Sequence, residues 1–328
     1  MSRRQVVGIG LGALAGASYG IGPFLFKASV HPAGVDWIAM LMWRFGLAAL
    51  VSWAWLLVQP WARAVLRGLD RRTIARLLLT GAVFVVDASL YFAAVERIDI
   101  SLVALIASSY PALVAVVSLR LGYKFSGVRA WGSLALVISG TALTIGAINP
   151  NTNQAGIIFA LLAPVAYTAY IILAAWMAGE RPGQTADMRS GGRGADVAPA
   201  VAGAVMATGS WIGALAVAIL AGEPLLPTQV PSAAWPGLIG IGVFSAAIAI
   251  QAFYASAARI GAARAALMTT VQPVVVILLG VLFLNEAFTP VRAAGAAIVL
   301  AGVVLAQFAR SPDASEGPES RSAAIEEP

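Results

Sequence analysis

Long apolar runs alternate with short polar breaks along almost the whole chain. A helix that crosses a bilayer needs about 20 mostly apolar residues. The pattern predicts such helices at 6–27, 35–58, 73–95, 100–121, 128–148, 155–177, 197–221, 234–256, 262–284 and 290–309. Turn formers mark the breaks: His31-Pro32 with Gly34, Asn149-Pro150-Asn151, then Pro224, Pro227 and Pro231. Residues 179–196 are glycine-rich and charged (Arg181, Asp187, Arg189, Arg193), and predict a flexible loop. Residues 311–328, with Glu316, Glu319, Glu326 and Glu327, predict a disordered tail.

Numbering the loops alternately tests the span count. One side collects Arg3, Arg4, Arg63, Arg67, Arg71, Arg72, Arg76, Arg120, Lys124, Arg129, Arg181, Arg189, Arg193, Arg259, Arg264, Arg310 and Arg321. The other holds only Lys27, Arg97 and Arg292, and Arg44 lies inside a span. Lys and Arg accumulate on the cytoplasmic side, so both termini are expected there, in a multi-pass protein of the inner (plasma) membrane. The first apolar run continues past Ala15-Gly16-Ala17 to Phe26, so it is taken as a retained span rather than a cleaved secretory signal. Trp61 to Arg72 mixes apolar residues with four arginines, and fits either a short interfacial helix on the anionic leaflet or an ordinary charged loop.

The second half repeats the first. Tyr91-Phe92, Arg97-Ile98 and Pro111 recur at one constant offset as Phe253-Tyr254, Arg259-Ile260 and Pro273. Arg129-x-x-Gly132 returns as Arg292-x-x-Gly295 with one residue of slack. Five spans per copy is an odd number, so the second copy enters the bilayer from the opposite face. The expected fold is therefore an all-α integral membrane protein, ten transmembrane helices forming an inverted repeat of two five-helix halves. The first half is 1–148, an external linker 149–154, the second half 155–310 and a cytoplasmic tail 311–328.

Composition narrows the function. Hydrophobic residues make up 60% and charged residues 11% of the 328, too little polar surface to cover a water-soluble globule of this size. With no cysteine and one histidine, His31, the chain lacks material for thiol chemistry, zinc-thiolate sites or a His-based triad. No enzyme activity, cofactor or metal site is expected. The basic pI of about 10.1 is accounted for by topology and calls for no nucleic-acid partner. Gly10-Leu11-Gly12 lacks the βαβ context of a dinucleotide fingerprint. Gly12, Gly16 and Gly20 recur every four residues, a spacing that permits close helix packing.

Several segments carry a family resemblance. Ala17-Ser18-Tyr19-Gly20-Ile21-Gly22-Pro23-Phe24 reaching Lys27, Trp43-Arg44-Phe45, Tyr91-Phe92-Ala93-Ala94, Phe253-Tyr254-Ala255-Ser256, and Leu284-Asn285-Glu286 before Arg292 resemble EamA-like members of the drug/metabolite transporter superfamily. The resemblance covers residues 6 to about 309. It implies a ten-helix inverted repeat that moves small metabolites, often amino acids, by alternating access. The chain departs from the pattern at Gly122-Tyr123-Lys124, where the family usually keeps a Glu, and in its long charged 179–196 loop.

Charge inside a membrane is costly, so buried ionisable residues are functional candidates. Arg44 and Asp87 sit well within spans and at one depth, about 12 Å from the outer surface at 1.5 Å per residue. They form either a structural ion pair or two cavity groups, Arg44 for a substrate carboxylate and Asp87 for an ammonium or a coupling proton. Lys27 either snorkels to the headgroups or lines the cavity. Polar and aromatic residues near helix-breaking prolines complete the candidate lining: Tyr91, Ser109, Tyr110, Tyr167, Tyr170, Gln251, Tyr254, Thr270 and Gln272, with Pro111, Pro164 and Pro273 as hinges. The alternative for each polar residue is interhelical hydrogen bonding.

The sequence thus points to a secondary transporter of small polar or zwitterionic metabolites, amino acids foremost, in the export direction. Its partners are a small-molecule substrate and the lipid bilayer; homo-oligomer formation stays open. The alternatives are a nucleotide-sugar or lipid carrier of the same fold and a non-transporting membrane scaffold.

Overall fold

The computed structural model describes residues 3–110, 113, 114, 117, 128–146, 152–177, 199–260, 265, 268–287 and 289–309. Among these it is helical throughout, without strands. In chain order, α1 (Arg3–Leu25) continues as a π-helical stretch, Phe26–Val30. Then come α2 (Trp37–Val58), α3 (Pro60–Gly68), α4 (Arg71–Arg97), α5 (Ile100–Ala107), α6 (Val128–Gly146), α7 (Gln154–Met177) and α8 (Pro199–Ala221). Next, α9 (Trp235–Gly240), π-helical Ile241–Ile248 and α10 (Ala249–Ile260) follow one another without a break. The described part ends with α11 (Val271–Phe283) and α12 (Pro290–Ala309).

Among the described residues, six helical stretches are long and apolar enough to cross a membrane: Arg3–Val30, Trp37–Val58, Arg71–Arg97, Gln154–Leu173, Ala200–Ala221 and Ser232–Phe253. Three further apolar helices are shorter, Trp131–Thr144, Val271–Phe283 and Pro290–Leu305. The span expected over 100–121 is interrupted. Helix α5 stops at Ala107, four residues before Pro111, a residue type that has no N–H for the i−4 carbonyl, and Ser108 and Ser109 form a turn. Pro111 itself lies outside the described residues, as do the 179–196 loop and the 311–328 tail. Between interfacial helix and loop at 61–72, the chain adopts helix α3, with Pro60 in its first turn where a missing N–H costs nothing. Pro164 sits inside α7 without ending it.

Helices from the two ends of the sequence pack against one another. A side-chain Cβ added to Gly12 would lie 2.6 Å from Met268, and one added to Gly16 2.9 Å from the Thr269 backbone, so the glycine stripe of α1 is its contact face. Helices α4 and α8 meet at backbone level: a Cβ on Gly81 would lie 2.0 Å from the Met206 carbonyl oxygen, and one on Gly209 2.0 Å from that of Leu78. Ser210 Oγ donates to Gly81 O at 2.8 Å across the same contact. Helix α12 packs along α6.

The short helix α5 has a buried N-terminus, since Ile100, Ser101, Leu102 and Val103 are all buried. Its first N–H groups have no partner within the helix. Glu286, distant in sequence, supplies one. Its carboxylate accepts from Ile100 N at 2.6 Å, from Ser101 N at 3.0 Å and from the Ser101 hydroxyl. Asn285, at φ 55, turns the chain so that Glu286 N donates to Gly280 O, closing the end of α11. Beside it Arg292 donates to Asp99 Oδ2 at 2.8 Å and to Ala287 O, and Lys27 Nζ donates to Ile98 O. The 98–101 segment is thus held from three directions.

Removing the Glu286 carboxylate strands three buried donors, Ile100 N, Ser101 N and the Ser101 hydroxyl. Glu286→Ala is expected to lower unfolding stability in detergent by roughly 2–4 kcal/mol, with Glu286→Gln in between, because an amide oxygen still accepts but without charge. Thermal unfolding checks this; a variant as stable as the parent would mean that Ile100 and Ser101 find other acceptors.

Asp36 caps α2, its Oδ1 accepting from Ile38 N and Ala39 N at 2.9 and 3.0 Å. Glu223, just past α8, faces it. Partial burial, and then the hydrogen bond and charge of Asp36, push the Glu223 carboxyl up to about 7. A carboxyl whose folded value is raised holds its proton in the folded state, so its contribution is full below the unfolded value of about 4.3 and fades as pH rises through 7. Melting temperature is therefore expected to fall slightly from pH 5 to 8, by about 2 °C because the group is largely solvated. Glu223→Gln should flatten that slope, and an unchanged slope would rule this carboxyl out as its source.

Candidate functional site

One cavity of about 420 Å³ opens among the helices, in the range of small-molecule sites. Helix α4 supplies Phe84, Asp87, Ala88 and Tyr91, at i, i+3, i+4 and i+7 on one face. Tyr19 comes from α1, Arg44 and Phe45 from α2, Ser108 from the turn beyond α5, Tyr110 from just after that turn, and Pro164, Tyr167 and Tyr170 from α7. Met206 and Ser210 of α8, Phe253 of α10, then Thr269, Thr270, Gln272 and Pro273 line the remainder.

Arg44 is 8% exposed. Its guanidinium lies over the Phe92 and Phe45 rings, 5.0 and 5.5 Å from their centroids, an arrangement that stabilises a desolvated cation. Arg44 Nε and the Tyr91 hydroxyl are buried without a hydrogen-bond partner among the described residues. Arg44 and Asp87 share the cavity yet form no ion pair there; the ion pairs among the described residues join Glu96 to His31 and Arg97, and Arg292 to Asp99. Of the two arrangements left open from sequence, an ion pair or two separate cavity groups, the charges line one cavity without an ion pair between them. Helix α8 packs extensively on both α2 and α4, whereas those two touch each other only lightly.

Five of the seven tyrosines in the chain line this cavity: Tyr19, Tyr91, Tyr110, Tyr167 and Tyr170. Tyr110 and Tyr167 meet edge to face at 4.8 Å between centroids, Tyr167 and Tyr170 stack at 5.8 Å, and Phe84 lies 5.2 Å from Tyr170. These rings form a continuous aromatic wall.

Of the residues singled out from sequence, Arg44, Asp87, Tyr91, Tyr110, Tyr167, Tyr170, Thr270 and Gln272 line the cavity, with Pro164 and Pro273. Lys27 does not, because its ammonium is bound to the Ile98 carbonyl. Ser109 gives way to Ser108, which lies on the α5 side of the turn and keeps its hydroxyl on Ala104 O at 2.7 Å. Gln251 falls between Ile250 and Phe253 on α10 and off the cavity face; its Nε2 is buried without a partner. Pro111 and the Tyr254 side chain lie outside the described residues. Sequence reasoning missed Tyr19, Phe84, Ser210 and Phe253. The signal for Phe84 was its spacing of three and seven from Asp87 and Tyr91.

No curated protein sequence matches the chain significantly. A protein of known crystal structure is similar over 95% of this chain and 100% of its own, at 18% identity and a TM-score of 0.59, a likeness of fold alone. The model of the EamA-like transporter family matches residues 6–146 and again 191–308. With its long apolar helices around an internal cavity, the chain belongs to the EamA-like transporter family, multi-pass membrane transporters of the drug/metabolite type.

Proposed function

We propose that this chain is a secondary transporter of small zwitterionic metabolites, amino acids foremost, which it exports across the inner membrane by alternating access. The observation that carries this reading is the pair Arg44 and Asp87, opposite charges facing one cavity without pairing. A substrate carboxylate satisfies the free edge of Arg44 together with the Tyr91 hydroxyl, and its ammonium meets Asp87. Together the two formal charges cancel, which favours a ligand of no net charge. A nucleotide sugar or anionic lipid would need more cations, and Arg44 is the one cation lining the cavity among the described residues.

The scaffold for this is a ten-helix inverted repeat with halves 1–148 and 155–310 and both termini cytoplasmic. Its support is the internal sequence repeat, the two separate segments matched by one family model, and packing of α1 on α10 and α11 and of α4 on α7 and α8. Prolines 111, 164 and 273 are the proposed hinges.

Counterflow of a panel of labelled amino acids into proteoliposomes tests the reading. At least one zwitterion should exchange saturably, and Asp87→Asn and Arg44→Gln should each reduce its flux by about tenfold or more, the loss of one charge-assisted contact. Both variants should remain folded, since no partner in the protein is stranded. Full flux in both would remove the pair from the binding site.

A further inference from the structure

Outside the cavity, the densest charge in the molecule lies at the joint between α2 and α4. Arg63, Arg67, Arg71, Arg72 and Arg76 fall within a short stretch whose only acid is Asp70. All five are exposed, and none takes part in an ion pair among the described residues. Arg71 and Arg72 occupy the first turn of α4, where the helix dipole disfavours cations. Their mutual repulsion, though screened by water, is relieved further when an anion sits among them.

Helix α3 is bound to the protein by its opposite face. Ala62, Val65, Leu66 and Leu69 pack against Leu56 of α2 and against Val201 and Ala204 of α8. Close by, Trp53 Nε1 donates to Thr208 Oγ1 at 2.8 Å, again joining α2 to α8. On the flank of α3, Trp61 and Trp55 meet edge to face at 6.4 Å and stay 43% and 46% exposed. Exposed tryptophans beside apolar helices mark the headgroup level of a bilayer, which puts the arginines at the depth of lipid phosphates. The connection between α8 and α9 is the contrast: residues 222–234 carry no Lys or Arg, one acid and three prolines.

We propose that α3 and the first turn of α4 form a docking surface for anionic phospholipid headgroups, and that lipid bound there clamps α2, α4 and α8 together. Arginine suits this role because its planar fork binds phosphate oxygens in pairs. Lipid is favoured over an acidic protein partner because the tryptophan pair sits at the end of membrane-length helices, at headgroup level. The site stands on its own, independent of what the cavity transports.

The test compares melting temperature in vesicles of phosphatidylcholine alone and of equal parts phosphatidylcholine and phosphatidylglycerol. The anionic lipid should raise it by about 4 °C. The combined variant Arg63→Gln, Arg67→Gln, Arg71→Gln and Arg72→Gln should lose most of that shift while matching the parent in phosphatidylcholine. Arg→Lys at the same four positions should keep most of it, and Arg181→Gln with Arg189→Gln should keep all of it. A measurement on the unaltered protein guards against a variant that fails to fold: raising salt from about 0.05 to 0.5 M should abolish the shift. Equal melting in the two lipids overturns the proposal, as does a shift that ignores salt or is lost equally in the Arg181/Arg189 variant. Soluble glycerol phosphate producing the same shift would make this a free-phosphate site and overturn the commitment to lipid.

Discussion

A helix that begins inside a membrane protein exposes N–H groups that neither water nor lipid will satisfy. Helix α5 is only eight residues long, so its unpaired first turn is a large part of it. The solution is a carboxylate from the far end of the sequence: Glu286 accepts both Ile100 N and Ser101 N. It also meets the positive end of the helix dipole. Because Glu286 sits at the end of α11 and Arg292 near the start of α12, the cap ties α5 to the late helices. The ends of α1 and α4 are tied to the same point through Lys27 and Asp99. From there the Ser108–Ser109 turn and Tyr110 reach the cavity.

In sequence, the other copy of the repeat does not reproduce the residues of this arrangement. At the offset that aligns Pro111 with Pro273, the counterpart of Glu286 is Lys124, that of Asp99 is Gly261 and that of Ser101 is Ala263. An ammonium cannot accept from backbone N–H groups, and glycine and alanine offer no side-chain partner. The sequence repeat therefore does not extend to the residues that make this clamp.

Much of this was legible because it depends on local composition. Apolar runs marked the helices, and glycines at every fourth residue marked the face of α1 that meets Met268 and Thr269. The embedded charges Arg44 and Asp87 stood out because a membrane tolerates so few. What stayed hidden depends on direction and distance. Lys27 had two fates open in sequence, snorkelling or lining the cavity, and its ammonium meets the carbonyl of Ile98. The acidic turn before Arg292 was visible, but its partner lies 186 residues away, beyond any periodicity. Phe84 and Phe253 counted as ordinary apolar residues, since a membrane sequence does not distinguish a ring that faces lipid from one that faces a cavity.

The separation of Arg44 from Asp87 has a physical cause in the packing. Two opposite charges in a dry interior would close on each other unless something else stabilised each apart. Arg44 has such a support: the faces of Phe92 and Phe45 hold its guanidinium against α2 and α4. Those rings cost the cation less desolvation than an aliphatic wall would, yet leave its Nε without an acceptor. Helix α8 then sets the spacing, because the Gly81–Gly209 contact fixes α4 against it at backbone distance while α2 packs on the same helix. The two charges are kept apart by helix geometry rather than by a lack of attraction. The zwitterion proposed as substrate would match both charges at once, whereas a lone cation would leave Arg44 unmatched and a lone anion would leave Asp87 so.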